Sequence, residues 1–285
     1  FVNLYSKWRG INRFPALVEA LEWLQKRPPV KARGAKIRIP KSLRDWIAGG
    51  LPRYAERNQP DIGAASGLSP YLHWGMLSTW EIIDAVAAAD GGLDPAHLPE
   101  RGGARTGFWP LPAASQAFLD ELVTWRELGY HDFALRGTAA ADYGSLPGWA
   151  RDTLAAHRAD PRPTTYTRAQ LEAAATGDAV WNAAQRELRR TGGIHNYLRM
   201  LWGKCVIAWY RDPAAAYATL VHLNNKWSLD GRDPNSWSGV AWCFGRYDRP
   251  WVERPIYGKV RYMSTAAARR KLRLDGYLER FAGSM

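Results

Sequence analysis

Apolar residues recur in this chain at three- and four-residue steps, segment after segment, and almost nowhere at every second position. No other feature of the sequence constrains the fold as strongly. A stripe at 3.6 residues covers one face of a helix, whereas a half-buried strand needs strict alternation. Residues 14–27 place Leu17, Ala20, Leu21 and Leu24 on one face, and Pro28 and Pro29 stop the pattern. Residues 41–58 offer Ser42 as an N-cap and a break at Gly49-Gly50. Residues 78–89 open with Ser78 and carry Glu81 three positions on, the spacing of a capping box. Residues 115–136 form the clearest long helical pattern, with Ser115 as its cap. Segments 167–177 and 179–193 each end on Gly, as a helix C-terminus does. Segments 195–211, 212–227 and 264–281 follow. The predicted class is all-α, with long Gly/Pro-rich loops at 91–112 and 157–166. Without strands, and without G-x-G-x-x-G or a P-loop, a dinucleotide fold of the βαβ kind is not expected.

The polar balance narrows the partners. Net charge is +12 over 285 residues, which favours nucleic acid or a phosphate-bearing ligand. No apolar run approaches the roughly 20 residues of a membrane span, so no membrane partner is expected. The chain opens on Phe1, and its first twenty residues are polar and charged without the apolar stretch of a signal peptide. Cys205 and Cys243 lack metal-ligand spacing and read as reduced core thiols of a cytoplasmic protein; no metal is expected.

The unusual count is tryptophan, at 15. Indoles serve as core, as stacking platforms or as electron-transfer relays, and composition does not choose among them. Trp202 and Trp209 are seven apart, two helical turns, and project from one face; Trp181 lies on the preceding helix. Core packing is the ordinary reading of such a stripe, and spacing alone gives a relay only weak support. Arg199 stands one turn before Trp202, and Asp230 lies in the polar stretch LNNKWSLDGRDPNSWSGVAWCFG at 223–245, so the two suit either a structural ion pair or the edge of a polar ligand. That stretch mixes Trp227, Trp237 and Trp242 with charges and amides, a composition foreign to both a dry core and a solvated loop. In ELVTWREL, Glu121 and Trp125 are i, i+4 neighbours, a carboxylate beside an indole. In SGLSPYLHWG, Ser66 and Ser69 precede a helix and could cap it or hold phosphate. His195 reads as a helix-start histidine.

Taken in order, SGLSPYLHWG, ELVTWREL, YGSLPGWARDTLAAHRADPRP, WNAAQRELRRTGGIHNYLRMLW, LNNKWSLDGRDPNSWSGVAW and WVERPIYGKVRYMS span residues 54–277. Together they resemble the DNA photolyase/cryptochrome family, and among it the class II cyclobutane pyrimidine dimer photolyases. The resemblance implies a helical FAD-binding catalytic domain at 54–285 after an N-terminal helical or linker segment at 1–53. It implies a light-driven lyase that passes an electron from excited reduced FAD to a dimer flipped out of UV-damaged DNA. The alternative within the family is a cryptochrome-like flavin photoreceptor without repair activity.

Carried over by position, the resemblance gives Tyr54, Ser66, Gly67, Leu68, Ser69, Arg126, Arg199, Trp202, Asn224, Asp230, Gly231 and Asn235 as cofactor-binding. Asn224 matches the residue facing flavin N5, and Arg199 and Asp230 the pair flanking the ring system. Trp202, Trp181 and Trp209 match the inner, middle and outer members of an electron relay. Glu121 matches the acid at the lesion bases, with Trp125 and Trp242 as stacking walls. Lys259, Arg261, Arg269, Arg270 and Lys271 are candidate DNA-phosphate contacts. The implied partner is UV-damaged DNA, met as a monomer. The sequence begins near the linker after the family's antenna domain, consistent with a fragment, with a separate antenna-domain chain, or with repair lacking a second chromophore. It departs from the family pattern at Asn225, where Asp is expected, at Asn196, where Gly is expected, and at Tyr130-His131, where Asp-Asn is expected.

Overall fold

The computed structural model describes residues 41–94 and 108–283. The expected helix at 14–27 lies outside them, as does most of the loop at 91–112. The described residues are helical, with a lone antiparallel bridge between Arg254 and Gly258 and no strand.

Two apolar clusters organise the helices. The first is built from α1 (Lys41–Gly49), a 3₁₀ turn (Leu51–Glu56), α2 (Ser69–His73), α3 (Thr79–Ala89) and α4 (Ala113–Leu119), and buries Leu43, Trp46, Leu68, Ile82, Val86 and Leu119. Gly50 supplies the break after α1 because a Cβ there would lie 2.2 Å from the Trp46 ring, while Trp46 Nε1 donates to Ala64 O at 3.0 Å. Ser42 lies inside α1, and its buried Oγ has no hydrogen-bond partner. It is not the cap expected from the sequence. Ser78 is: it accepts from Glu81 N, and the Glu81 carboxylate takes the Ser78 N–H in return.

After α5 (Arg126–Arg136), which packs on the Pro234–Cys243 helix, the second and larger cluster is built from α6 (Gly148–Ala156), α7 (Arg168–Glu172), α8 (Ala179–Thr191), α9 (Asn196–Trp209), α10 (Pro213–Trp227), α11 (Pro234–Cys243), α12 (Thr265–Lys271) and α13 (Asp275–Arg280). Its starts are written locally. Asp212 and Asp233 cap α10 and α11 with Pro at the first helical position, and Asp178 caps α8 by accepting from Val180 N and Trp181 N at 3.0 Å. Gly192 ends α8 at φ 76°, where a Cβ would meet Leu229 at 2.3 Å. Gly203 on α9 admits Cys243 of α11 so closely that a Cβ would lie 2.5 Å from its Sγ. Both cysteines are buried and free.

Three expectations on helix extent need correction. The segment 115–136 is not one α-helix capped by Ser115: α4 starts after Pro112, Ser115 is buried within it, and residues Asp120–Trp125 form a π-helical turn before α5. Segment 167–177 stops after Glu172, and Ala174, at φ 55°, takes the left-handed turn assigned to Gly177. Segment 264–281 is two helices, since Leu272 is extended and only Asp275 resumes the turn. In each case apolar spacing survives an interruption that backbone hydrogen bonding does not.

Candidate functional site

The π turn sits where the two clusters meet, and it opens a cavity of about 570 Å³. π turns insert one residue into a helix and collect at functional sites. Here the insertion re-pairs the side chains. Trp125 Nε1 donates to Asp120 Oδ2 at 3.0 Å, five residues back, whereas Glu121 accepts from Arg57 Nη2 at 3.0 Å. The carboxylate beside the Trp125 indole is therefore Asp120, not Glu121 as i, i+4 spacing predicts. Trp125 stacks on Trp242 of α11, with centroids 4.9 Å apart and planes 29° apart. Both rings and Glu121 line the cavity.

Arg199 Nη2 stands 4.0 Å from Asp230 Oδ2, and both residues also line the cavity. Asp230 is oriented by Ser228, whose hydroxyl donates to it. Tyr54, Ser66, Gly67, Leu68, Ser69, Arg126 and Asn235 are also in the wall. Tyr54 is buried against Phe118, and burial pushes its hydroxyl well above the usual tyrosine range, reinforced by Glu121. Gly67 takes φ 63°, and Leu68 N donates to Ser66 Oγ at 3.4 Å; α2 beyond them is only five residues long. Arg126 is engaged by Glu127 at 2.7 Å and by the Tyr130 hydroxyl at 3.0 Å, with the guanidinium over the Tyr130 ring.

Three expected cofactor residues do not line the cavity: Trp202, Asn224 and Gly231. All three are buried. Asn224 is buried and donates from Nδ2 to Asn225 Oδ1 at 3.3 Å; the same oxygen accepts from Arg232 N at 3.0 Å. Gly231 is required by close packing, since a Cβ would lie 3.0 Å from Ser228 O and 3.1 Å from Asn224 O. The three indoles of 223–245 also part company. Trp227 donates to Glu172 at 3.2 Å, Trp237 packs on Phe133 at 5.5 Å, and Trp242 alone reaches the cavity.

Sequence reasoning missed several wall residues: Arg57, His73, Glu187 and Asp233. Glu187 accepts from Tyr277 O–H at 2.6 Å and from His195 N at 2.9 Å, and burial raises its pKa. His195 stands just ahead of α9 as expected, but its ring faces the cavity region and its buried Nδ1 has no partner; Arg57 Nε is likewise buried and unpartnered. The spacing Tyr54-x-x-Arg57, one 3₁₀ turn, is the signal that could have found Arg57.

Trp202, Trp181 and Trp209 form a file. Trp181 and Trp202 lie 6.2 Å apart with planes 8° apart, and Trp181 meets Trp209 edge-on at 5.3 Å. Trp181 is thus the middle member. Its Nε1 donates to Trp202 O at 3.0 Å, and Trp202 Nε1 donates to the buried Gln185 Oε1 at 3.0 Å. Trp209 is 8% exposed, its ring met by Tyr166 at 4.8 Å, so the file ends beneath Tyr166 rather than in open solvent. Lys259, Arg261, Arg269, Arg270 and Lys271 are exposed. Among the described residues no His, Cys, Asp and Glu cluster could hold a metal ion, and no helix is long and apolar enough to cross a membrane.

No protein-family model matches the chain. Curated relatives do. The chain is 42% identical over 229 residues to the deoxyribodipyrimidine photo-lyase of Methanothermobacter thermautotrophicus, a match covering 80% of this chain and 46% of that protein. It is 40% identical over 236 residues to the enzyme of that name from Oryza sativa, covering 80% and 42%, and 35% identical over 275 residues to that from Arabidopsis thaliana, covering 94% and 50%. It therefore spans about half the length of the curated relatives it matches. In fold it is similar to a class III photolyase from Agrobacterium tumefaciens, with a TM-score of 0.58 and 21% identity over 84% of this chain and 43% of that one. Over the residues these matches cover, the chain is similar throughout to proteins named deoxyribodipyrimidine photo-lyase.

Proposed function

We propose that this chain is the flavin-binding catalytic part of a DNA photolyase of the class II kind, which splits cyclobutane pyrimidine dimers in UV-damaged DNA under light. The observation that carries the reading is one juxtaposition. A stacked indole pair, a carboxylate and an Arg–Asp pair line one cavity, and a file of three tryptophans begins within one turn of that arginine.

The cavity fits a flavin dinucleotide in its chemistry. Two buried nitrogens, His195 Nδ1 and Arg57 Nε, lack partners, and Ser66 and Ser69 supply hydroxyls near backbone N–H groups. Arg199 and Asp230 would face the polar edge of the ring system, with Asn224 and Gly231 fixing the loop behind them. When bound and reduced, such a flavin supplies on illumination the electron that opens a cyclobutane ring, and takes it back afterwards.

The chain's own groups do the rest. Trp125 and Trp242 offer flat surface to two linked pyrimidines of one strand taken out of the stack, at about 1–3 kcal/mol per stacked base. Glu121, held by Arg57, presents acceptor oxygens to the N–H edges of pyrimidines. Trp202, Trp181 and Trp209 offer a path for reducing equivalents between the cavity wall and the region under Tyr166. The exposed Lys259, Arg261, Arg269, Arg270 and Lys271, with a net charge of +12, favour a polyanion at the surface.

The test is illumination of the purified, chemically reduced, flavin-loaded protein with an oligonucleotide carrying one thymine dimer. The expected outcome is light-dependent return of thymine absorbance near 260 nm (about the usual base maximum) and loss of the dimer by chromatography. Flavin loading with no dimer loss would sink the repair reading and leave a flavin photoreceptor; a colourless protein that takes up no flavin would sink both.

A further inference from the structure

Away from the cavity, both ring nitrogens of His157 face carboxylates. Nδ1 lies 2.6 Å from Asp160 Oδ2, and Nε2 lies 2.9 Å from Glu253 Oε1. A neutral imidazole carries one N–H and can donate to only one of them; the imidazolium donates to both. Asp160 Oδ2 also accepts from Ile256 N at 2.7 Å, and Thr153 Oγ1, on α6, accepts from Lys259 N at 3.0 Å. These contacts tie residues 253–259 to the end of α6. The tied turn is tight. Arg254 and Gly258 exchange backbone hydrogen bonds of 2.9 and 2.8 Å, and a Cβ on Gly258 would lie 2.0 Å from Thr153 Oγ1 and 2.9 Å from His157 Cδ2. Ile256, a β-branched residue, is held at φ 71°, where such residues are strained and need external support.

The outer face of this segment is aromatic and basic. Trp251 is 43% exposed and Tyr262 44%. Arg261 lies over the Trp251 ring at 5.2 Å, Arg249 at 6.0 Å, and Arg254 over the Tyr262 ring at 5.2 Å; Lys259 is exposed between them. We propose that His157, clamped as the imidazolium between Asp160 and Glu253, is the positioning residue that holds segment 248–262 in shape for nucleic-acid contact, so that the grip on DNA weakens as pH rises. The nucleic-acid arm rests on the proposed function; the clamp itself does not.

The sign follows from the partners. Hydrogen bonds from Glu253 and then Asp160 raise the His157 pKa above its ordinary value. A group whose folded pKa is raised contributes fully below its unfolded value of about 6.5, and the contribution is lost as pH climbs through the folded value. Asp160, chiefly through Ile256 N–H, and Glu253, chiefly through His157, are held below the usual carboxylate range, so they remain charged throughout that window. The other charges facing the clamp are Arg162, which donates to His157 O at 3.2 Å and Asp160 O at 2.8 Å, and Lys259 beside Glu253.

The experiment follows the His157 ring by NMR in the flavin-loaded protein between about pH 6 and 9, together with hydrogen-exchange protection at Ile256 and Lys259 and affinity for a duplex at fixed ionic strength. Protection and affinity are expected to fall together, protection by about tenfold, as the ring loses its proton. Glu253→Gln keeps an acceptor but removes the charge and should move both midpoints to lower pH; Glu253 is half exposed, so folding is not at stake. His157→Gln should leave protection low and flat. Protection that ignores the ring's titration, or a midpoint unmoved by Glu253→Gln, overturns the clamp. Protection that follows pH while affinity stays flat overturns its role in DNA contact. No duplex binding at any pH refutes the DNA reading instead.

Discussion

The molecule uses tryptophan in two ways that differ in what surrounds the ring. Trp125 and Trp242 stack at 4.9 Å on the wall of a cavity, half-buried, with Trp125 tethered to the Asp120 carboxylate. Trp202 and Trp181 run parallel at 6.2 Å inside the larger cluster, at most 2% exposed, with both N–H groups on amide oxygens. The first pair is placed by an irregular backbone, the π turn; the second by two regular helices, α8 and α9. A surface meant to receive a flat guest needs an open face and an adjustable seat. A route for charge needs rings fixed at constant spacing away from water. On the proposed function, the same side chain would serve either end, with its neighbours and not its chemistry deciding.

The sharpest way to break this comparison is at the inner file. Trp202→Phe should abolish photoreduction of the bound flavin, read as loss of light-driven bleaching near 450 nm (about the flavin maximum), while repair by chemically reduced protein persists. Repair lost in the reduced variant with flavin retained would mean that the file and the wall are one functional unit. At the wall the effect is smaller and of another kind. Trp242→Ala should weaken binding of a dimer-containing oligonucleotide by about 1–3 kcal/mol, roughly 5- to 150-fold, with photoreduction unchanged. Smallest is Asp120→Ala, which unties Trp125 without removing it; loss of one half-exposed hydrogen bond should cost about 0.5–1.5 kcal/mol of that affinity. An equal loss from Asp120→Ala and Trp242→Ala would show that orientation of the pair, not its area, governs binding.

The regular part of this architecture was legible in the chain. The cap at Ser78 is a local signal that local hydrogen bonding carries out; Asp212 and Asp233, not singled out as caps in the sequence, cap by the same rule, and α8 stops at Gly192, one residue before the expected Gly193. Trp181, Trp202 and Trp209 come together because period-3.6 spacing on two adjacent helices leaves little freedom. The irregular part was not legible. Nothing in DELVTW distinguishes an α from a π turn, since the apolar positions fit both, and so the partners of Glu121 and Trp125 came out exchanged. Arg57 and Asp233 reach the cavity from a turn end and a helix cap, and Glu187 from within α8, positions that no periodic pattern marks as neighbours. Buried positions that do not line the cavity, such as Asn224 and Gly231, resemble wall residues in any one-dimensional reading.

The amide oxygens under Trp181 and Trp202 have a chemical corollary. An indole stripped of an electron becomes a strong acid, but a backbone or glutamine carbonyl is too feeble a base to accept what it would shed. Oxidation at either ring can therefore be reversed by the next electron to arrive, with no atom having left its place.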